Sequence, residues 1–263
     1  MTEHEKQYHN ERIVKISSSS STSAANDGQS ITLEGKLNLL PTEAKGIVLF
    51  AHGSGSSRHS TRNKYVAQVL HNAGIATLLV DLLTPEEEDA DIRTQNILYK
   101  LPPGIVLNKF NIKLLAKRLI AATNWIMEDP STQHLINNIG YFGASTGSAA
   151  ALIAAATSVG RPSAISAIVS RGGRPDLAGL EALSKVQAPT LLIVGGNDAK
   201  PVIDLNNNAL KQLKNVQKKK LVIIPGATHL FEEAGTLEEV ARLASGWFGC
   251  YFLIKKHSSS SNQ

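Results

Sequence analysis

Apolar residues fall into short runs of strand length separated by stretches with helical spacing. Residues 13–17 and 31–39 alternate apolar and polar positions, which predicts two opening strands, each with one covered face. Residues 46–51 form a continuous apolar run, the pattern of a strand buried on both faces. A helix is predicted over 63–72, with Gly74 at its C-terminal end, followed by a buried strand over 75–83. Residues 84–106 carry the acidic run Glu86, Glu87, Glu88 and Asp89 and then Pro102-Pro103-Gly104, and read as irregular. Residues 109–126 are helical through Ile112, Leu115, Leu119 and Ile126. The pattern then predicts strand 139–142, helix 148–156, strand 164–169, a short helix near 177–183 and strand 190–194. A helix near 205–213, strand 221–224 and a last helix from 237 to about 253 complete it.

Two leading strands followed by repeated strand–helix units imply an α/β fold: a mostly parallel sheet with helices on both faces. Only about twenty residues separate strands 164–169 and 190–194, which leaves no room there for a large cap. The expected organisation is a flexible N-terminus over 1–12, a single domain over 13–255 and a disordered tail over 256–263. The Ser/Thr tract at 17–23 reads as a hairpin loop, and the serines at 258–261 as part of the tail.

At 263 residues and 42% hydrophobic content the chain can build a substantial core. The charged N-terminus has no apolar core of a secretory signal, and no run is long enough to span a bilayer. A single cysteine, Cys250, excludes an internal disulfide; it falls in an apolar helical pattern and is expected to be a buried or half-buried thiol. These features predict a cytoplasmic protein without a membrane partner. The net charge of +5 raises the question of nucleic acid. The basic residues do not cluster with aromatics, which make up 5% of the chain, so no nucleic-acid partner is expected. Lys218-Lys219-Lys220 reads as a solvated strand entrance.

One motif carries chemistry. Residues 139–153 read IGYFGASTGSAAALI, an apolar strand, the turn Gly143-Ala144-Ser145-Thr146-Gly147, and an Ala-rich helix. A serine on so sharp a strand-to-helix turn has crowded neighbours two residues away on each side, and Gly143 and Gly147 meet that need. Serine is a weak nucleophile and needs a base, which needs an orienting acid. Strand 190–194 runs into Gly195-Gly196-Asn197-Asp198, and strand 221–224 into Pro225-Gly226-Ala227-Thr228-His229. Both positions lie past C-terminal strand ends, where ligands bind in open α/β sheets. Asp198 is the favoured acid and His229 the base; Asp176, after the preceding strand, is the rival acid. The loop His52-Gly53-Ser54-Gly55-Ser56-Ser57 reads as an oxyanion loop, with the N–H of Ser54 and that of Thr146 as the donors. It lacks the Lys-Ser/Thr of a phosphate loop and the third glycine of a dinucleotide loop. His52 reads as structural.

Carried by the stretches AHGSGSSRHSTRN (51–63), LLVDLLTPEEE (78–88), GYFGASTGSAAAL (140–152), VSRGGRPDL (169–177), LLIVGGNDAKPVIDLN (191–206) and PGATHLFEEAGTLEEVARLA (225–244), the chain resembles the α/β-hydrolase superfamily. More narrowly it resembles the dienelactone hydrolase family, in a branch found fused to phosphoribosyltransferase domains. These 263 residues resemble the hydrolase part alone, over about residues 46–248. The resemblance implies a triad of Ser145, Asp198 and His229, an acyl-enzyme route, and no metal or organic cofactor. Dienelactone hydrolases use a cysteine nucleophile where this chain has Ser145, so the resemblance implies ester or lactone hydrolysis without naming one substrate.

The expected partner is a small-to-medium ester or lactone. Thioesterase, acyltransferase and peptidase chemistry use the same triad, and a non-catalytic binding protein of the same fold is the remaining alternative. Arg58 and His59 in the oxyanion loop and Arg171 past a strand end could face the site and recognise a carboxylate. The competing expectation is that Arg171 or Arg174 pairs with Asp176 or Asp81.

Overall fold

The computed structural model describes residues 11–19, 30–40, 43–98, 104–158, 160 and 165–253. Eight strands form one sheet: β1 (Glu11–Ser19), β2 (Ser30–Asn38), β3 (Ile47–Ala51), β4 (Ala76–Val80), β5 (Ile139–Ala144), β6 (Ala167–Arg171), β7 (Thr190–Gly195) and β8 (Lys219–Ile224). Their order is β1-β2-β4-β3-β5-β6-β7-β8. β1 pairs antiparallel with β2, and β2 with β4; all other pairs are parallel. Seven helices are described: α1 (Thr61–Asn72), α2 (Pro85–Ile97), α3 (Ile112–Glu128), α4 (Thr146–Thr157), α5 (Gly179–Lys185), α6 (Lys200–Gln212) and α7 (Thr236–Leu253). Among the described residues no helix is long and apolar enough to cross a membrane.

Alternate residues of each central strand feed two cores, as the strand period requires. On one face Leu49, Tyr141 and Ile168 pack against α3, α4, α5 and α6. On the other, Phe50, Phe142 and Val169 pack against Val66 and Leu70 of α1 and Val240, Ala244 and Phe248 of α7. This is why the central strands are continuous apolar runs. From Leu33 on, β2 alternates buried and half-buried positions near the sheet edge, and its antiparallel pairing fits the period-2 pattern.

The sequence-predicted elements fold with small boundary shifts, except in two places. The segment read as irregular contains α2. Thr84 caps it, accepting from the N–H of Glu87 while Glu87 accepts from the N–H of Thr84, and Pro85 opens it. This capping box explains a helix with almost no apolar face of its own. Its tertiary anchor is Arg118 of α3, which is fully buried and makes a bidentate pair with Glu87 at 2.5 Å and a 2.7 Å bond to the carbonyl of Leu82. Second, Cys250 is exposed, not buried. α7 buries the stripe Val240, Ala241, Ala244, Phe248 and Phe252, and Cys250 lies off it. Glu11 and Arg12, assigned to a flexible terminus, are the first residues of β1. The proposed tail over 256–263 and most of the Ser/Thr tract lie outside the described residues.

Candidate active site

Ser145 stands between β5 and α4 with φ 49° and ψ −121°. A non-glycine residue at positive φ is strained, and such strain persists only where surrounding contacts impose it. Here they do. The N–H of Ser145 donates to the carbonyl of Arg171, and its own carbonyl accepts from Ser148 and Arg174. A Cβ on Gly143 would come within 2.5 Å of the Ser148 Cα, and one on Gly147 would overlap the carbonyl oxygen of Ala51. The hydroxyls of Ser148 and Ser170 extend the support, Ser170 to Ser148 and Ser148 to the carbonyl of Gly143, each at 2.9 Å.

The acid and base loops are built on neighbouring strands. β7 delivers Asp198 and β8 delivers His229, and the N–H of Asn197 donates to the carbonyl of Ala227, joining the two loops. Nδ1 of His229 lies 2.8 Å from Oδ2 of Asp198. A Cβ built on Gly172, the residue after the Arg171 whose carbonyl holds Ser145, would lie 3.6 Å from Cε1 of His229. Among the described residues the hydroxyl of Ser145 makes no hydrogen bond, to His229 or to another group. Such contacts often tighten only when substrate is bound. Asp176, the rival acid, is taken by Arg174 in a bidentate pair at 2.8 and 2.9 Å.

The 52–57 loop lies against the elbow. A Cβ on Gly53 would sit 3.0 Å from Cβ of Ser145. The N–H of Ser54 donates to the side-chain oxygen of Thr146 at 2.9 Å, so the first expected oxyanion donor faces the residue that carries the second. His52 is buried, accepts the N–H of Leu82 at Nε2 and bonds the Gly53 carbonyl through Nδ1. Burial lowers its pKa from the ordinary 6.5, with the carbonyl of Gly53 and Asp81 opposing. It is a structural pin between β3 and β4.

The three residues considered as substrate contacts are dispersed. The guanidinium of Arg58 is committed to Asp81 and Glu34, and its N–H also bonds Asp81. His59 is exposed. Arg171 points to the α1/α7 face, 7% exposed, with Asn63 as a 3.4 Å acceptor and its guanidinium 6.0 Å from the centroid of the Phe231 ring. Among the described residues no carboxylate pairs with it and its Nε is unbonded; burial, reinforced by Arg62, lowers its pKa to about 10. Arg174, not Arg171, pairs with Asp176, and Arg58 is the partner of Asp81.

A cavity of about 230 Å³ adjoins this site between the 52–57 loop and α2. Leu83, Ile92 and Leu115 supply apolar walls, and Glu88, Asp91 and Lys109 line it as well. None of Arg58, His59 and Arg171 does. Sequence reasoning missed this wall because α2 was read as irregular; Thr84-Pro85-Glu86-Glu87 is the cap signal that could have revealed it.

No protein-family model matches the chain. A dienelactone hydrolase from Anabaena variabilis, solved by crystallography, is 53% identical, with a TM-score of 0.75 over 92% of this chain and 99% of that one. Two Mycobacterium tuberculosis proteins named as phosphoribosyl transferases are 54% identical over 209 residues. That match covers 80% of this chain but only 42% of theirs. An esterase from Pyrococcus furiosus is 15% identical with a TM-score of 0.67, covering 96% of this chain and 97% of its own. A serine hydrolase without a lid from Xanthomonas campestris is 16% identical, with a TM-score of 0.64 over 92% and 95%. These last two show likeness of fold alone.

Proposed function

The chain belongs to the dienelactone hydrolase family and has the α/β-hydrolase fold, and on that footing we propose that it is a serine hydrolase of carboxylic esters or lactones. The observation that carries this reading is the 2.8 Å bond between His229 and Asp198, taken together with a strained Ser145 at the strand-to-helix turn. In the proposed reaction Ser145 attacks the carbonyl carbon while Nε2 of His229 takes the hydroxyl proton. Asp198 holds the imidazole with Nδ1–H toward itself and stabilises the imidazolium that forms. The N–H groups of Ser54 and Thr146 receive the oxyanion, the former by exchanging the Thr146 hydroxyl for the substrate oxygen. His229 then protonates the leaving alcohol, and water attacks the acyl-enzyme by the same proton route in reverse.

A serine in place of the family's cysteine needs more help from its base, since a thiol is already partly ionised near neutral pH. That makes the Asp198–His229 pair the centre of the proposal. The transferase names of the Mycobacterium tuberculosis relatives attach to proteins of which this chain spans 42%, and they add nothing to the chemistry proposed. The test is turnover of a chromogenic short-chain ester by the protein and by Ser145→Ala, with labelling by a fluorophosphonate probe. Loss of both turnover and label in a variant that stays folded is expected. Undiminished turnover would overturn the reading.

A further inference from the structure

We propose that the cavity between the 52–57 loop and α2 receives an uncharged arm of the substrate, and that Glu88 selects against a carboxylate on that arm. The inference rests on the hydrolase reading above. The cavity shares a wall with the site, because the loop that bounds it also touches Ser145 through Gly53 and Thr146 through Ser54. At about 230 Å³ it lies below the roughly 300–1,000 Å³ of sites that enclose drug-sized ligands, so it suits a short arm. Leu83, Leu115 and Ile92 give that arm apolar contact.

The polar lining then sets the charge. Asp91 is satisfied by the N–H of Asn108 and of Lys109 at 2.8 Å and by the Asn108 amide at 3.1 Å. The ammonium of Lys109 donates to Gln95 at 2.6 Å, and its one positive charge is outnumbered in the lining by the two carboxylates Asp91 and Glu88. Arg58 is occupied by Asp81 and Glu34. Glu88 is left: among the described residues its carboxylate has no hydrogen bond or ion pair. Burial, then the carboxylates of Asp81 and Asp89, hold it above the usual carboxylate range, with Arg58 opposing. The surroundings already disfavour one negative charge, and a substrate carboxylate would add a second. An amide or hydroxyl on the same arm can instead donate to Glu88.

The experiment uses two series of matched esters, with the terminal group on the acyl side or on the alcohol side. Each series pairs a carboxamide with its isosteric carboxylate. In the series whose arm enters the cavity, kcat/KM is expected to favour the carboxamide by about tenfold or more, from like-charge repulsion at short range. Glu88→Gln, isosteric and on a half-exposed helix position, is expected to bring the ratio close to one. A ratio near one in both series, or a ratio unchanged in Glu88→Gln, would overturn the inference. So would a preference for the carboxylate that disappears in Arg171→Ala, which would assign recognition to Arg171. Ser145→Ala separates the two readings. Turnover that persists in that variant overturns the hydrolase reading, whereas Ser145-dependent turnover with a Glu88-independent ratio overturns only the cavity.

Discussion

Oδ2 of Asp198 faces Nδ1 of His229 at 2.8 Å, while Oδ1 of the same carboxylate accepts the N–H of Ala199 at 2.7 Å. The backbone bond fixes the carboxylate, and the carboxylate fixes the ring. Asp198 is almost wholly buried at its side chain whereas His229 is 38% exposed, so the anchored end is inside and the imidazole reaches solvent. Asp198→Asn keeps the shape but offers an amide that stabilises the wrong tautomer. We expect kcat for a short-chain ester to fall about 10⁴-fold with little change in KM, as when the aspartate of a serine triad is so replaced. A steady-state comparison checks it; a loss under tenfold would remove Asp198 from the role of orienting acid.

Ser145→Gly relieves the φ of 49°. The variant is expected to be inactive and yet about 1–3 kcal/mol more stable, the usual size of backbone strain held at a site. Urea unfolding measures it, and a variant no more stable than the parent would show that the turn stores no strain.

Gly147→Ala tests the opposite side of the same turn. Its methyl group would overlap the carbonyl oxygen of Ala51, which sits at the end of a central strand and cannot withdraw. Overpacking of this kind costs about 1–3 kcal/mol or more. Both the unfolding midpoint and the yield of folded protein should drop.

Arg118→Met removes the cation that joins α3 to Glu87 of α2. Breaking one partner of a buried pair leaves the other charge unmatched, at a cost of about 3–5 kcal/mol. Hydrogen exchange should quicken across the first turns of α2, about 85–90, more than across the central strands, because the bonds of Asp91 and Gln95 to Asn108 and Lys109 hold only the later turns.

His52 predicts an acid-side loss of stability. Burial lowers its folded pKa below the ordinary 6.5, so the unfolded chain binds a proton more readily. Stability from this group is complete above about pH 6.5 and declines as pH falls below that value. Denaturant midpoints at about pH 7 and pH 5 should differ less in His52→Gln than in the parent, even if the variant is less stable at both. An equal pH dependence would count against His52 as the source.

The order of strands and helices was legible because each element carries its own period. Continuous apolar runs marked the buried parallel strands, and small residues marked the elbow. Asp198 and His229 were readable as positions, since each follows a strand end. What could not be read was which charges would pair. Arg58, Arg171 and Arg174 look equivalent in sequence, yet Arg58 meets Asp81, Arg174 meets Asp176, and Arg171 turns to Asn63 and the Phe231 ring and meets no carboxylate among the described residues. Those outcomes follow from side-chain direction at strand ends and in loops, which no local pattern encodes.

The sequence by itself determined the fold class, the glycine-flanked turn at Ser145 and the order of its candidate partners, because hydrophobic period and backbone sterics act over a few residues. Only the tertiary structure decided the 2.8 Å meeting of Asp198 with His229, 31 positions apart, and the face to which Arg171 turns. It also decided that the helix opened by the Thr84–Glu87 capping box is held against α3, since the distant Arg118 supplies the anchor that its own surface lacks. The cavity beside Ser54 exists only because that helix is held there.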